Sequence, residues 1–319
     1  MKTLITGGAG FIGSHLADLL VARGDEVILL DDLSTGSYSN IEHLLERPDV
    51  EFVLGSILNA DLLDSVMARC DRVFHLAAAV GVQLIVDKPL ESLQTNIRGS
   101  ELVFEKAHKY GKPVLVTSTS EIYGKNASDR LHEDDDRILG SPLKSRWSYS
   151  EAKAIEEILA YTYWREKGLP TVIVRLFNTV GPRQTGQYGM VIPRFVSQAI
   201  RGEPLTVYGD GGQSRCFCHI ADVVDSLVAL IEEPDAYGRV FNVGGTDEIT
   251  IGELAKLVVE RANSTSLVRY VPYDEAYEEG FEDMPRRVPD TTRVRDLVGF
   301  DPQRDLADII DAVLVEQRR

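Results

Sequence analysis

A glycine-rich segment near the N-terminus, Thr6-Gly7-Gly8-Ala9-Gly10-Phe11-Ile12-Gly13, constrains the fold of this chain more than any other feature. It follows a short β-branched run at residues 2–6 and opens a segment, 11–23, whose apolar residues recur at helical spacing. Glycines between a strand and a helix permit a tight turn and let backbone N–H groups approach a pyrophosphate. The spacing G-x-x-G-x-x-G is related to the dinucleotide-binding fingerprint. We therefore expect dinucleotide contacts from Gly7, Gly10, Phe11, Ile12 and Gly13.

Two acidic residues, Asp31 and Asp32, end the second predicted strand, and Asp31 follows Gly13 by 18 residues. A carboxylate at this position can bind the ribose hydroxyls of an adenosine. The acidic pair would repel a 2′-phosphate, and residues 33–40 contain no Arg or Lys to receive one. We therefore expect NAD rather than NADP as the cofactor.

Strands and helices alternate through the first half of the chain. Strands are predicted at 2–6, 26–30, 51–54, 72–76, 113–117 and 171–176, and helices at 11–23, 60–70, 90–110 and 149–168. Near-continuous apolar strands separated by helices are typical of a parallel sheet covered on both faces. After about residue 178 the pattern changes to short segments with turn signals such as Gly209-Asp210-Gly211-Gly212. We predict an α/β fold: a Rossmann doubly wound parallel sheet with a smaller C-terminal α/β substrate-binding lobe.

This pattern also suggests a division of the chain. Residues 1–178 are predicted to form the NAD-binding domain, which would also receive part of 215–245. Residues 179–319 would form the substrate-binding lobe.

The charge balance of the 319 residues limits the partners of the chain. Its formal net charge is −16, whereas nucleic-acid binding needs clustered Lys and Arg, so we expect no nucleic acid as a partner. No apolar run reaches the ~18 residues of a membrane span, and no signal-peptide core forms, so we expect a cytoplasmic protein that does not bind a membrane. An anionic ligand would need a few local arginines to hold it against the overall field.

The chain has three cysteines, Cys70, Cys216 and Cys218. Cys216-x-Cys218 has no second ligand pair with zinc-site spacing, so we expect no metal site. Buried, inert thiols in a reducing cytoplasm are the better interpretation.

Tyr149 and Lys153 are four residues apart at the start of a strongly helical segment and hence lie on one face. A phenol of pKa ~10 is a base at neutral pH only if a nearby cation stabilises its phenolate. Lys153 is placed to supply that cation.

Further motifs complete a known pattern. They lie at 75–78 (His-Leu-Ala-Ala), 118–124 (Ser-Thr-Ser-Glu-Ile-Tyr-Gly), 149–153 (Tyr-Ser-Glu-Ala-Lys), 175–178 (Arg-Leu-Phe-Asn), 181–183 (Gly-Pro-Arg), 204–209 (Pro-Leu-Thr-Val-Tyr-Gly) and Arg215. With the glycine loop, they make the chain resemble, over nearly its whole length, the extended short-chain dehydrogenases/reductases that act on nucleotide-sugars. The resemblance implies a tightly held NAD and oxidation of the sugar at C4, with the tyrosine as base. The reaction that follows differs by enzyme: 4-epimerisation, 4,6-dehydration or decarboxylation.

Three features distinguish between these reactions. Ser120-Glu121 resembles the UDP-glucuronate decarboxylases and also GDP-mannose 4,6-dehydratase, whereas dTDP-glucose dehydratases have an Asp at the first position. Arg287 falls on an Arg-x-Pro segment similar to that of the decarboxylases, and Arg146 resembles an arginine that some of them carry three residues before the tyrosine. Ser56 departs from the family, in which an Asp usually meets the adenine ring.

The resemblance implies a set of site residues. The catalytic residues would be Ser120, Glu121, Tyr149, Lys153 and Arg287. The cofactor would also contact Ser56, Ile57, Leu76, Ala77, Ala78, Asn96, Thr117, Ser118, Tyr149 and Lys153. A UDP-sugar substrate would contact Arg146, Asn178, Val191, Thr206, Tyr208, Arg215, Phe281 and Arg287.

The resemblance also implies a homodimer. Helices around 90–110 and 149–168 would meet their copies, with Leu102, Ile155 and Leu159 as candidate contacts.

The leading hypothesis is NAD-dependent decarboxylation of UDP-glucuronate to a UDP-4-keto-pentose or UDP-xylose. An NDP-sugar 4-epimerase is the first alternative, and a hexose dehydratase is the second. A catalytically silent NAD-sensing binding protein of the same fold is the alternative from another class, against which the intact Tyr149 and Lys153 argue.

Overall fold

The computed structural model describes residues 1–79, 89–144, 147–186, 190–272, 284 and 286–318. In chain order, the strands are β1 Lys2–Thr6, β2 Glu26–Asp31, β3 Val50–Leu54, β4 Arg72–His75, β5 Val114–Thr119, β6 Thr171–Leu176, β7 Thr179–Val180, β8 Leu205–Tyr208, β9 Ser214–Cys216, β10 Cys218–His219, β11 Arg239–Val243, β12 Glu248–Thr250, β13 Val268–Val271 and β14 Arg286–Arg287. The helices are α1 Phe11–Ala22, α2 Ala60–Met67, α3 Pro89–Leu93, α4 Gly99–Tyr110, α5 Ser148–Lys167, α6 Val191–Ile200, α7 Ile220–Glu232, α8 Ile251–Arg261, α9 Thr292–Val298 and α10 Leu306–Gln317.

Seven parallel strands form the central sheet, in the order β3-β2-β1-β4-β5-β6-β11. The first six follow the Rossmann order, with the topological switch between β1 and β4. Ligands of such sheets bind outside the carboxyl ends of the strands at this switch. The predicted Rossmann-like α/β fold is confirmed.

Helices cover both faces of this sheet. On one face, α1 and α7 bury Leu16, Leu20 and Leu227 in a core that includes Leu29 and Leu115. On the other face, apolar residues of α2, α4 and α5 form a second core with β1, β2 and β4. Because helices bury both faces of the sheet, its strands are near-continuous apolar runs in the sequence. This pattern is the one from which the strands were predicted.

One predicted helix, 90–110, is interrupted in the structure. It consists of α3, a π-helical turn at Gln94–Arg98, and α4. Within the turn, the Asn96 amide accepts a hydrogen bond from Ala79 N (2.8 Å) and donates one to Ala79 O (3.2 Å). This long-range contact lies at the interruption, and periodicity along the chain contains no sign of it.

The second lobe has its own core. Helices α6, α8 and α10 pack around Phe195, Leu254 and Ile310, together with the parallel pair β8–β13. A three-stranded sheet, β12-β9-β14, lies beside the large sheet. The chain does not divide cleanly at residue 178, since α7 and β11 return to the large sheet after the second lobe has begun. Among the described residues, no helix is long and apolar enough to cross a membrane.

Candidate active site

The glycine loop connects β1 to α1 and leaves the N-terminus of α1 open. Gly7 has a φ of +72°, and a Cβ there would lie 2.8 Å from the Ala77 nitrogen. A Cβ on Gly10 would lie 3.1 Å from the Gly7 carbonyl oxygen, and a Cβ on Gly13 would overlap that oxygen. Side chains are therefore excluded from the turn, and the first N–H groups of α1 are left to bind a ligand.

Asp31 ends β2 beside this loop. Its carboxylate accepts hydrogen bonds from Ala9 N (2.9 Å) and Leu33 N (2.8 Å). Burial raises the pKa of Asp31, and these backbone donors oppose the rise. Asp31 therefore holds the loop in place as well as facing the cavity beside it.

That cavity, of about 360 Å³, runs along the switch point of the sheet. Its walls include nine of the residues predicted to contact the cofactor: Gly7, Gly10, Asp31, Asp32, Ser56, Ile57, Leu76, Ala77 and Ala78. Asn96 is buried behind this wall, and its amide supports Ala79. The direct contact of Asn96 with the cofactor stays a prediction, and Asn96 also supports the chain segment at Ala79.

A larger cavity of about 720 Å³ continues from the glycine loop to the second lobe. The predicted residues that line it are Gly7, Gly10, Phe11, Ile12, Gly13, Leu76, Ala78, Thr117, Ser118, Ser120, Glu121, Tyr149, Lys153, Asn178, Val191, Tyr208, Arg215 and Arg287. The Thr206 hydroxyl accepts a hydrogen bond from Gln198 of α6 (2.5 Å), and its contact with the substrate stays a prediction. Arg146 and Phe281 lie outside the described residues.

Tyr149 and Lys153 lie in the first two turns of α5, and both are buried. Burial, and then the negative charges of Glu156 and Glu121, hold the pKa of the Tyr149 hydroxyl well above its usual range. The Lys153 ammonium donates a hydrogen bond to Glu156 at 2.8 Å. A phenolate at Tyr149 therefore requires the positive charge of Lys153 and of any cationic ligand in the cavity.

Ser118, at the end of β5, also lines the cavity. Its hydroxyl donates a 2.5 Å hydrogen bond to Glu157, whose carboxylate also pairs with Arg175 at 2.9 and 2.7 Å. Ser118 is therefore tied to Glu157 of α5 and, through it, to Arg175 of β6.

Arg287, Glu121 and Ser120 come together near Tyr149. Arg287 Nη1 lies 3.7 Å from Glu121 Oε1 and 3.5 Å from Ser120 Oγ. The register of β14 against β9 also places Arg287 opposite Arg215, so the cavity has two arginines from adjacent strands. These partners are far apart in sequence, and the fold alone brings them together.

Sequence reasoning missed some of the cavity wall. Arg194 lines the cavity and its guanidinium lies 4.4 Å from the centre of the Tyr208 ring, a cation–π arrangement. Arg183 also lines it and forms a 2.7 Å ion pair with Asp18. Arg183 was within the Gly-Pro-Arg motif, whereas Arg194 had only its helical spacing from Val191 as a signal.

The family model for the NAD dependent epimerase/dehydratase family matches residues 3–244. The chain belongs to this family. The resemblance to nucleotide-sugar enzymes of the extended short-chain type is thereby confirmed.

Similar proteins cover nearly the whole chain. A UDP-N-acetyl-alpha-D-glucosaminuronate decarboxylase of Bacillus cytotoxicus is 41% identical over 94% of this chain and 92% of its own length. UDP-glucuronic acid decarboxylase 1 of Arabidopsis thaliana is 35% identical, covering 96% of this chain and 67% of the relative. The structure of UDP-glucuronic acid 4-epimerase from Bacillus cereus, with UDP-glucuronic acid and NAD, has a TM-score of 0.90 at 28% identity, over 100% of this chain and 99% of that one.

NAD is the cofactor of this epimerase/dehydratase-family protein, and the described residues fit it. The glycine turn forms a cradle that a Cβ would fill. Asp31 and Asp32 face the end of the cavity away from Tyr149, as an adenosine ribose requires. No cationic side chain lines that smaller cavity among the described residues, which fits NAD rather than NADP.

Proposed function

We propose that this protein is an NAD-dependent decarboxylase of a UDP-hexuronate, with UDP-glucuronate as the leading substrate. The observation that carries the proposal is the position of Arg287, which lies beside Ser120 and Glu121 and faces the same cavity as Tyr149. In a chain of net charge −16, a guanidinium at the reaction centre is the kind of local cation that a sugar carboxylate needs. The decarboxylases among the similar proteins support this proposal.

In the first step, Tyr149 takes the proton of the C4 hydroxyl and Lys153 stabilises the charge on the phenol oxygen. Bound NAD supplies a hydride acceptor for C4. The open N-terminus of α1 and the glycine turn hold the pyrophosphate, and Asp31 holds the ribose.

In the second step, Arg287 holds the C5 carboxylate while its bond to C5 breaks. Carbon dioxide leaves, and the bonding electrons pass into the enolate of the C4 ketone. Ser120 donates a hydrogen bond to the sugar. Glu121 would repel the substrate carboxylate if both were charged, so it acts through a proton or an ordered water that returns a proton to C5.

The nucleotide end of the substrate is assigned to the second lobe. Arg215 is buried, lines the cavity and is proposed to bind the diphosphate. Tyr208 and Val191 would pack against the uracil, and Asn178 would meet the phosphate or sugar. We accordingly propose that 1–178, with the returning segment, holds NAD, and that the rest of 179–319 holds the UDP-sugar.

A second substrate has a specific observation in its favour. The relative at 41% identity is named for a uronate with a 2-acetamido group, whereas the UDP-glucuronic acid decarboxylase of Arabidopsis thaliana described above is 35% identical. Both substrates have the C5 carboxylate that Arg287 would hold. A 4-epimerase is the competing reaction, since a UDP-glucuronic acid 4-epimerase shares the fold at a TM-score of 0.90.

One experiment separates these possibilities. The protein is incubated separately with UDP-glucuronate, UDP-N-acetylglucosaminuronate, UDP-glucose and UDP-N-acetylglucosamine. The molecular masses of the products are then measured. Loss of carbon dioxide from either uronate supports the proposal, and the product mass shows whether the ketone is released or reduced. Loss of water, or a change of retention without a change of mass, would replace it by a dehydratase or an epimerase.

We also propose a cytoplasmic homodimer. Cys70, Cys216 and Cys218 are free and buried, as thiols of a reducing compartment are. Of the expected contact residues, Leu102 is part of the second core, Leu159 packs against that core, and Ile155 is exposed. The exposed apolar residues on α5 that support a helix-to-helix contact are Ile155, Ile158, Tyr161 and Trp164.

A further inference from the structure

A buried ion pair lies directly behind the proposed base. Lys153 Nζ donates to Glu156 Oε2 at 2.8 Å, and the two side chains are 2% and 1% exposed. The Glu156 carboxylate therefore shares the lysine on which the Tyr149 phenolate would depend. The pairing of Tyr149 with Lys153, as predicted from the sequence, gives no role to the Glu156 carboxylate.

Charged and polar groups approach Glu156 from several elements. On α5 itself these are Lys153, Tyr149 and Glu157, and Arg175 of β6 pairs with Glu157.

From β4, His75 contributes no positive charge, because burial lowers its pKa to about 3. Its Nε2 contacts the hydroxyl of Ser100 on α4 at 2.9 Å, and Ser100 in turn stabilises the Glu156 carboxylate. From the turn after β5, the Glu121 carboxylate adds negative charge near Tyr149. Lys153 is thus the cation that compensates Glu156 among these groups.

The protonation state of Glu156 determines the net charge of the buried group formed by Tyr149, Lys153 and Glu156. With Glu156 ionised, Tyr149 neutral and Lys153 charged, the buried triad is neutral, and ionising Tyr149 would leave a net negative charge in a dry site. With Glu156 protonated, the phenolate and the ammonium alone would balance. Burial raises the pKa of Glu156 to about 7, so both states are accessible near neutrality.

We propose that Glu156 is a positioning residue of the reaction, which acts through Lys153. Glu156 holds the Lys153 ammonium in place through the ion pair. The positive charge of Lys153 is fully available to stabilise the Tyr149 phenolate only when the Glu156 carboxyl group is protonated. This inference rests on the proposed use of Tyr149 as the base that oxidises C4.

Glu156→Gln tests the inference because it keeps an oxygen acceptor for Lys153 and removes the charge. Ionisation of Tyr149 is followed without substrate, as the ultraviolet difference between each protein and its Tyr149→Phe counterpart. We expect the Tyr149 pKa to fall by roughly one unit or more in Glu156→Gln. Glu166→Gln, which removes an exposed carboxylate of the same helix, should leave it unchanged. An unshifted Tyr149 titration in Glu156→Gln would overturn the inference.

The pH profile of C4 oxidation provides the second measurement. Its acid limb should move to lower pH in Glu156→Gln by the same amount, with roughly tenfold faster oxidation just below the wild-type limb, at pH values where wild-type Glu156 is ionised. Well below about pH 7 the two proteins should react alike, because Glu156 of the wild type is then protonated and neutral like the glutamine. A role in packing alone would lower the rate at every pH and leave the limb in place, which contradicts the inference. Because the ultraviolet titration needs no substrate, failure of the decarboxylase proposal would leave that result interpretable.

If Glu156→Gln does not fold, the wild-type protein still decides the question. The infrared band of a protonated carboxyl group should appear as the pH falls through about 7, and Lys153→Met should alter the pH at which it appears. A Glu156 that stays ionised throughout pH 5–9 (the range in which buried carboxyls titrate) would refute the inference.

Discussion

At the scale of single residues, Tyr149 and Arg287 carry the proposed chemistry and have opposite requirements. Tyr149 must lose a proton in a buried site that raises its pKa. Arg287 stays charged at any physiological pH and has to be held where a carboxylate can reach it. Each can be removed without touching the glycine loop, so the two steps can be separated experimentally.

Tyr149→Phe should retain the fold and NAD binding and lose C4 oxidation. The hydroxyl removed is the proposed proton acceptor, and such groups contribute typically ~10²–10⁴-fold. The measurement is NADH formation in the first turnover. Tyr161→Phe, an exposed tyrosine on the same helix, is the matched control and should react normally. Undiminished NADH formation by Tyr149→Phe would remove Tyr149 from the mechanism.

Arg287→Ala should reduce kcat/KM for UDP-glucuronate by roughly 10²–10³-fold, since a partly buried cation that meets a charged ligand is removed. NAD affinity, measured by calorimetry, should not change. Arg286→Ala is the control, because Arg286 pairs with Glu248 on the exposed side of the same strand. Normal turnover of UDP-glucuronate by Arg287→Ala would favour the epimerase reading.

At the scale of elements, the junction between β1 and α1 is tightly constrained by its packing. The turn must bring the Gly7 carbonyl against the start of α1 while it leaves the helix N-terminus open. A backbone arranged in this way leaves no space for a side chain at Gly13. The element therefore binds its ligand through backbone N–H groups and the helix dipole.

Gly13→Ala should lose most of its NAD affinity and unfold at a lower temperature, because the new methyl overlaps the Gly7 carbonyl oxygen and the turn must move. Calorimetry on cofactor-stripped protein measures the affinity, and thermal unfolding measures the stability. Gly212→Ala, for which the atoms nearest the new methyl belong to the Asp210 side chain, should show neither effect. NAD binding at wild-type strength would show that the turn is more compliant than this packing implies.

At the scale of the whole molecule, two buried groups make stability depend on pH in opposite directions. His75 has a pKa of about 3 in the folded protein, below its ordinary 6.5, so its contribution is lost as pH falls from 6.5 to 3. Glu156 has a pKa of about 7, above its ordinary 4.5, so its contribution is lost as pH rises from 4.5 to 7. The two effects oppose each other between 4.5 and 6.5.

Glu156→Gln removes one of these opposing effects. The free energy of unfolding of the variant, relative to wild type, should rise with pH between 4.5 and 7, by about 1 kcal/mol per pH unit. Denaturant unfolding at several pH values measures this difference. Equal pH dependence in both proteins would show that Glu156 is ionised in the folded state throughout this range.

The whole molecule is also expected to pair with a second copy through α5. Light scattering at micromolar concentration should give twice the mass of the chain, and Ile158→Glu should give the monomer because it places a charge in the apolar contact. Leu143→Glu, at a highly exposed position outside a helix, is the control. A wild-type protein that is monomeric in this measurement would contradict the proposed dimer.

Local features of the sequence were enough to predict much of the fold. Apolar runs predicted the first six strands of the large sheet to within two residues at each end, because parallel strands buried on both faces leave this signature. The glycine loop with Asp31 and the Tyr149–Lys153 spacing are also local, since each depends on one turn or one helix. These features determined the Rossmann fold, the cofactor and the proposed base.

Contacts between distant segments were decided by the tertiary structure alone. Arg287 and Ser120 are 167 residues apart in the sequence. They meet because the pairing of β14 with β9 places Arg287 beside the turn that follows β5. The polar atoms of Asn96 and Thr206 have partners within the protein, at the Ala79 backbone and at Gln198, which the sequence did not indicate. In the sequence, Glu156 is one of several acidic residues on a charged helix, and only the fold shows that it is buried against Lys153. Periodicity reports which face of an element is apolar, whereas the partner of each polar group depends on how the elements pack.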